Sequence, residues 1–189
     1  MIKTAIKDHL DTINLLLDDQ EKNIQHFSEL SWNTIKNNGK IVFCGNGGSA
    51  ADSQHLAAEL VSRYKIDRPP LAGIALTVDT SALTAIGNDY GYNQVFSRQV
   101  EAICNKQDLL VGISTSGNSE SIISAVQIAK EIGCETFGLL GNAGGKLIDE
   151  VDNSIVVPSN TTARIQEAHI LIGHIMCEYV EKEFIKTMS

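Results

Sequence analysis

Apolar residues recur every three or four positions at Ile2, Ile6, Leu10, Ile13 and Leu17, a spacing that puts them on one face of a helix. Ile24, Phe27, Leu30 and Ile35 continue the rhythm less regularly until Asn37, Asn38 and Gly39 break it, so the segment reads as one long helix or two. Beyond Gly39 the pattern changes. Five continuous apolar runs follow: IVFCG (41–45), LAGIAL (71–76), DLLVGIS (108–114), TFGLLG (136–141) and SIVVP (154–158). Runs of this length suit strands that are covered on both faces. Helical spacing returns between them, as at Ile122, Val126, Ala129 and Ile132, and a last helix is predicted over about 161–184. Alternating strands and helices predict an α/β fold, a parallel sheet within a three-layer αβα sandwich.

With 189 residues the chain can build one full core and has too little length for two. We read a single domain, with residues 1–39 as an N-terminal helical segment and 40–189 as the α/β core. A hydrophobic content of 43% with 20% charged residues excludes a disordered chain. Fifteen basic residues against 23 acidic ones, with no basic run, argue against nucleic acid as a partner. The cysteines at 44, 104, 134 and 177 are scattered without metal-site spacing, and read as reduced core residues. The charged N-terminus is unlike a signal peptide, and no apolar run reaches membrane-spanning length, so no membrane partner and a cytoplasmic location are expected.

Candidate chemistry concentrates after the first and third strands. In GNGGSAADSQHLAAE (45–59), Gly45, Gly47 and Gly48 permit close backbone approach, and Ser49 opens a helix whose free N–H groups attract an anion. Two plainer readings compete. Ser49 and Asp52 could form a capping box, and Gly45, Gly47 and Ala50 fit a dinucleotide fingerprint. The fingerprint fits poorly, because the next candidate acid, Asp79, lies 34 residues after Gly45, whereas an acid is expected about 20 residues on. The third strand runs into GISTSGNSESI, which gathers the hydroxyls of Ser114, Thr115, Ser116 and Ser119. Such hydroxyls and free amides can seat a phosphate without Lys or Arg, although Ser119 could instead serve only as a helix cap.

His55 and Glu59 share one helix face, with Arg63 a turn further, so they can reach a single atom; a solvated surface pair is the alternative. The last helix carries RIQEAHILIGH, in which Arg164, Gln166, Glu167, His169 and His174 interrupt an apolar stretch. For the two histidines a satisfied core or interface role is the alternative, and His9 and His26 read as solvent-facing. Gln166 and His174 are eight residues apart, about 12 Å of rise. They must converge from two sides of a ligand or belong to different subunits. His55, Glu59, Gln166 and His174 together offer N and O ligands compatible with zinc, or with another divalent ion.

The strings CGNGGSAADSQHLAAELVSRY, TAIGNDYGYNQVFSRQVEA, VGISTSGNS and RIQEAHILIGH, in this order, resemble the SIS (sugar isomerase) domain family, and within it the phosphoheptose isomerases. The resemblance implies a five-stranded parallel sheet flanked by helices, a homotetramer and one zinc per subunit. It implies His55, Glu59, Gln166 and His174 as metal ligands. Asn46, Gly47, Gly48, Asn88 and Asp89 become sugar contacts, with Glu59, Gln166 and Thr115 also counted as substrate-binding, while Ser49, Ser114, Ser116 and Ser119 become the phosphate seat. The implied reaction converts sedoheptulose 7-phosphate to D-glycero-D-manno-heptose 7-phosphate through an enediol(ate), with Glu59 as base and His174 as acid. The product would feed surface-polysaccharide heptose. The rival within the fold is a non-catalytic phosphosugar sensor, or an adaptor for the replication initiator DnaA, neither of which needs all four ligands. The exposed stripes expected on the N-terminal and final helices are naturally used in subunit contacts.

Overall fold

The structure, a computed structural model, describes residues 1–188. Helix α1 (Ile2–Lys36) is continuous, which decides between the one-helix and two-helix readings. No glycine or proline falls within it, and it stops where Asn38 takes a left-handed φ of 62°. The chain then alternates: β1 (Ile41–Gly45), α2 (Gly48–Val61), β2 (Gly73–Ala75), α3 (Thr80–Asp89), a 3₁₀ turn (Tyr92–Gln94), α4 (Ser97–Ile103), β3 (Leu109–Ser114), α5 (Glu120–Ile132), β4 (Glu135–Leu140), α6 (Leu147–Glu150), β5 (Asn153–Val156) and α7 (Thr162–Lys186). Each of the five apolar runs coincides with a strand, and β4 and β5 begin one residue before their runs, at Glu135 and Asn153. The second shrinks from the six residues of its run to a three-residue edge strand, which has a hydrogen-bonded neighbour on one side only.

The strands form one parallel sheet in the order β2-β1-β3-β4-β5. Helices cover both faces, giving the expected three layers. Alternate residues of each strand feed two cores. Ile41, Phe43, Val111, Phe137 and Leu139 face α1, α2 and α7, meeting Phe27, Leu56, Leu60, Ile165, Ile172 and Val180. Val42, Leu110 and Leu140 face the other way, onto Val100 of α4 and Ile122 and Val126 of α5. The Phe27 and Phe137 ring centroids lie 4.5 Å apart, fastening α1 to the sheet. Truncating Phe137 to Ala would cost about 3–5 kcal/mol.

This topology creates the site. The chain leaves β1 for β2 on one side and comes back as β3 on the other, so the strand order reverses between β1 and β3. Gly45 pairs with Ile113, which sets the ends of these two strands side by side. The crevice beyond such a switch point is where open α/β sheets hold ligands. The two loops singled out by their glycines and serines, after β1 and after β3, border it. All four cysteines are free and buried. No helix among the described residues is long and apolar enough to cross a membrane.

Candidate active site

The β1–α2 loop turns on Gly47, with φ of 57°, and α2 starts at Gly48 without a side-chain cap. The capping box of Ser49 and Asp52 does not form. Ser49 lies inside the helix, where its carbonyl accepts from Ser53, and Asp52 Oδ2 is buried without a partner. That burial raises the Asp52 pKa, against a smaller lowering by His55. Asp79, the poor candidate for a ribose-binding acid, caps α3 by accepting from the Ala82 N–H at 2.9 Å.

Asn46 joins the two loops. Its Nδ2 donates to Ser121 Oγ on α5 at 3.0 Å, and its Oδ1 accepts from the Tyr92 hydroxyl at 2.7 Å. Asn88 and Asp89 sit exposed at the end of α3, with Asn88 Nδ2 donating to Asp89 Oδ1. In the β3–α5 loop, Ser114 and Ser119 Oγ lie 3.2 Å apart, and Ser114 Oγ accepts from the Gly117 N–H. Ser116 Oγ accepts from the Asn118 N–H. The Thr115 carbonyl accepts from Asn142. Ser119 occupies the cap position of α5 but makes no side-chain cap bond, so its hydroxyl stays in the cluster. Gly117 adopts φ of 65°, and a side chain there would come within 1.8 Å of the Gly144 carbonyl. The loop is therefore braced by a second loop and adds three hydroxyls at the start of a helix, a cradle for an anion.

His55 and Glu59 project from the second half of α2, and His174 from α7 meets them there. His55 Nε2 lies 3.1 Å from Glu59 Oε1 and 3.4 Å from His174 Nε2. One ligand atom from each residue falls within 4.8 Å of the others. Two nitrogens held by one tetrahedral zinc, each at about 2.0–2.1 Å, sit roughly 3.3–3.4 Å apart. The donor set and its spacing thus fit a metal ion. Desolvation lowers the His174 pKa, helped by His55 and opposed by Glu59. That shift favours the neutral imidazole, the form that ligates metal.

Gln166 lies at the start of α7, eight residues before His174. Its amide rests on the start of α2, so close that a side chain at Gly48 would fall 2.3 Å from Nε2. His169 is a core histidine, as its apolar neighbours suggested: it is buried, and Nε2 bonds the Leu140 carbonyl. His26 is exposed as expected. His9 differs from its solvent-facing reading. Its Nδ1 lies 2.7 Å from Glu167, which also pairs with Arg164, and Arg164 reaches the Ala5 carbonyl. This polar cluster fastens the start of α7 to α1. Arg63 is exposed beyond the end of α2.

Sequence reasoning missed the surroundings of the trio. The Tyr64 ring centroid lies 5.7 Å from that of His174. Arg68 donates to the Glu59 carbonyl, and Tyr92 holds Asn46. The pattern GNDYGYNQ offered a hint of Tyr92, but nothing local distinguishes Arg68 from a surface arginine.

Residues 6–141 match the family model described as SIS domain. Phosphoheptose isomerase of Aliarcobacter butzleri is 55% identical over 175 residues, covering 93% of each protein. That of Nitratiruptor sp. is 52% identical over 97% of this chain and 98% of its own. The solved structure of phosphoheptose isomerase GmhA from Neisseria gonorrhoeae superposes with a TM-score of 0.91 at 43% identity, covering 96% of this chain and 97% of that one. Matches of this extent to whole proteins, together with the strand order and the paired loops, leave one assignment: the chain belongs to the SIS domain family, on its phosphoheptose isomerase branch.

Proposed function

We propose that the protein is an aldose–ketose isomerase that converts sedoheptulose 7-phosphate to D-glycero-D-manno-heptose 7-phosphate. The observation that carries the mechanism is the meeting of His55, Glu59 and His174 from two helices beside a switch-point crevice. Membership of the phosphoheptose isomerases supports the sugar. A sensor or DnaA adaptor would have no use for this trio.

The reaction moves a proton from C1 to C2 of the ketose through an enediolate. The Glu59 carboxylate takes the C1 proton, and returns one to C2 to complete the aldose. His174 supplies a proton to the C2 carbonyl oxygen as the enediol forms, and takes one back from the C1 hydroxyl as the aldehyde forms. A neutral imidazole can do this, since one ring nitrogen can ligate while the other carries a proton. His55, Glu59 and His174 would hold a zinc ion, whose chemistry is to stabilise negative charge on the sugar oxygens. Gln166 is the fourth ligand by its match to the family pattern, and must swing from Gly48 or be presented by another subunit. Ser114, Thr115, Ser116 and Ser119, with Ser49 at the start of α2, bind the phosphate and fix C1 and C2 against Glu59. Asn46, Gly47, Gly48, Asn88 and Asp89 contact the sugar.

We assign a homotetramer. Ile6, Leu10 and Leu17 remain more than half exposed along α1, and Ile175, next to His174, is 40% exposed. A groove of about 480 Å³ between α1 and α7 is lined by Leu17, Ile24, Ile175 and Tyr179. Apolar surface of this kind suits helix pairing between copies. Free, buried cysteines suit a reducing compartment, and we place the protein in the cytoplasm. The product would serve surface-polysaccharide heptose synthesis. An NMR assay over a panel of ketose phosphates tests the function: sedoheptulose 7-phosphate should turn over fastest, and turnover of none would reject it.

A further inference from the structure

A buried ion pair lies behind the trio and touches it only at the Glu59 carbonyl. Arg68 and Glu181 have side chains only 1% and 2% exposed, with Arg68 Nε 3.2 Å from Glu181 Oε1. The contact angle does not make a hydrogen bond there, and every well-formed bond of the pair goes to backbone instead. Arg68 Nη2 donates to the Glu59 carbonyl at 3.0 Å, and Nη1 to the Leu60 carbonyl at 2.9 Å. Glu181 accepts three successive N–H groups, from Tyr64, Lys65 and Ile66, at 2.8–3.0 Å.

Each end of this pair serves a site element. Helix α2 stops at Val61, so the carbonyls of Glu59 and Leu60 belong to its last turn and lack helical partners. A buried guanidinium satisfies the Glu59 carbonyl, shares the Leu60 carbonyl with the Leu71 N–H, and places positive charge where the helix dipole favours it. The anchored carbonyl belongs to Glu59, the residue assigned as base. On α7, Glu181 follows His174 by seven residues, or two turns on the same face. By gripping residues 64–66 it also fixes the backbone of Tyr64, whose ring lies against His174. Glu59 and His174 stand on different helices, and Arg68–Glu181 is a polar tie between those helices, anchored at the Glu59 carbonyl on α2 and two turns beyond His174 on α7.

We propose that Arg68 and Glu181 are positioning residues that set the separation and orientation of Glu59 and His174, and through them the metal affinity and turnover of the site. The proposal rests on the isomerase reading above. A purely structural clamp would matter for folding alone. The two charges satisfy each other, so removing one strands the other in the interior, whereas removing both leaves no buried charge.

The test therefore uses Arg68→Met/Glu181→Gln and, as the charge-conserving variant, Arg68→Lys, which keeps the positive charge but loses the fork that spans two carbonyls. Thermal melts establish the temperature at which each is folded. There, kcat and KM are measured with sedoheptulose 7-phosphate, and zinc affinity by competition with a chromophoric chelator, with no substrate present. Loss of an outer partner of a metal site typically costs about 10–100-fold in affinity or activity. We expect the double variant to lose about tenfold or more in kcat, in zinc affinity or in both, with KM changed less than about twofold because the phosphate seat is untouched. Arg68→Lys should fall between it and wild type. Wild-type kcat and zinc affinity in the folded double variant would overturn the proposal, even with a lowered melting temperature. Should the double variant fail to fold, wild-type values in Arg68→Lys would overturn it equally. Failure of the isomerase reading looks different: the unaltered protein would neither bind zinc nor isomerise the sugar.

Discussion

The two halves of the site are built in opposite ways. The proposed phosphate seat is local: Ser114, Ser116 and Ser119 fall within six residues, and the backbone of one loop, braced by the loop at Gly144, sets their positions. The proposed catalytic trio is global. His55 and His174 are 119 residues apart in the chain and meet through the packing of α2 on α7. A binding site for a fixed anion can be folded from one turn and one helix start, whereas proton transfer needs groups held from separate directions. Damage to the two halves should consequently look different.

The largest effect is expected at the trio. Glu59→Gln and His174→Gln should each lower kcat by about 10²–10⁴-fold, the range for loss of a general acid or base. Binding of the phosphosugar, measured by calorimetry, should persist. Next comes the backbone of the seat. Gly117→Ala puts a side chain at positive φ and into the Gly144 carbonyl, which together should cost roughly 2–5 kcal/mol, read from denaturant unfolding. Gly48→Ala is its counterpart at the other half. There the clash is with the movable end of Gln166, so stability should change little. Equal destabilisation by both would erase the contrast.

Ser116→Ala removes one hydroxyl from the seat. A hydrogen bond to a charged group contributes about 1.5–3 kcal/mol, so kcat/KM should drop about 10–100-fold. Part of the loss should appear in kcat, because phosphate binding also orients the reacting carbons. Ser114→Ala should in addition destabilise the loop, because Ser114 Oγ accepts the Gly117 N–H.

The smallest effect concerns pH. Burial holds the His169 imidazole down at about 4, against about 6.5 for an unfolded histidine. The folded state refuses a proton that the unfolded chain accepts, so this stability is complete above about pH 6.5 and declines as pH falls towards 4. Between pH 7 and 5.5 the loss should be about 1 kcal/mol. In His169→Gln, denaturant midpoints should lose that portion of their acid dependence.

What could be read in the sequence follows the same division. Strand β1 is found where IVFCG lies, and the hydroxyl cluster is where GISTSGNS lies, because both depend on neighbours in the chain. The shared face of His55 and Glu59 was also legible, from helical spacing alone. The arrival of His174 was not legible from spacing and came only with the family resemblance, since it depends on how α7 lies along α2. Arg68 and Glu181 look like surface charges until the fold buries them. Ser49 and Asp52 fit a capping pattern, yet Gly47 and Gly48 already make the turn and start the helix one residue earlier. His9 looked free because its partner, Glu167, is 158 residues away.

The most direct test of the trio as one proton-transfer centre is solvent exchange. Sedoheptulose 7-phosphate incubated with the protein in D₂O should yield aldose deuterated at C2 by NMR, and Glu59→Gln, still binding the phosphosugar, should incorporate none. Deuterium entering C2 at the normal rate with Gln at position 59 would contradict the assignment.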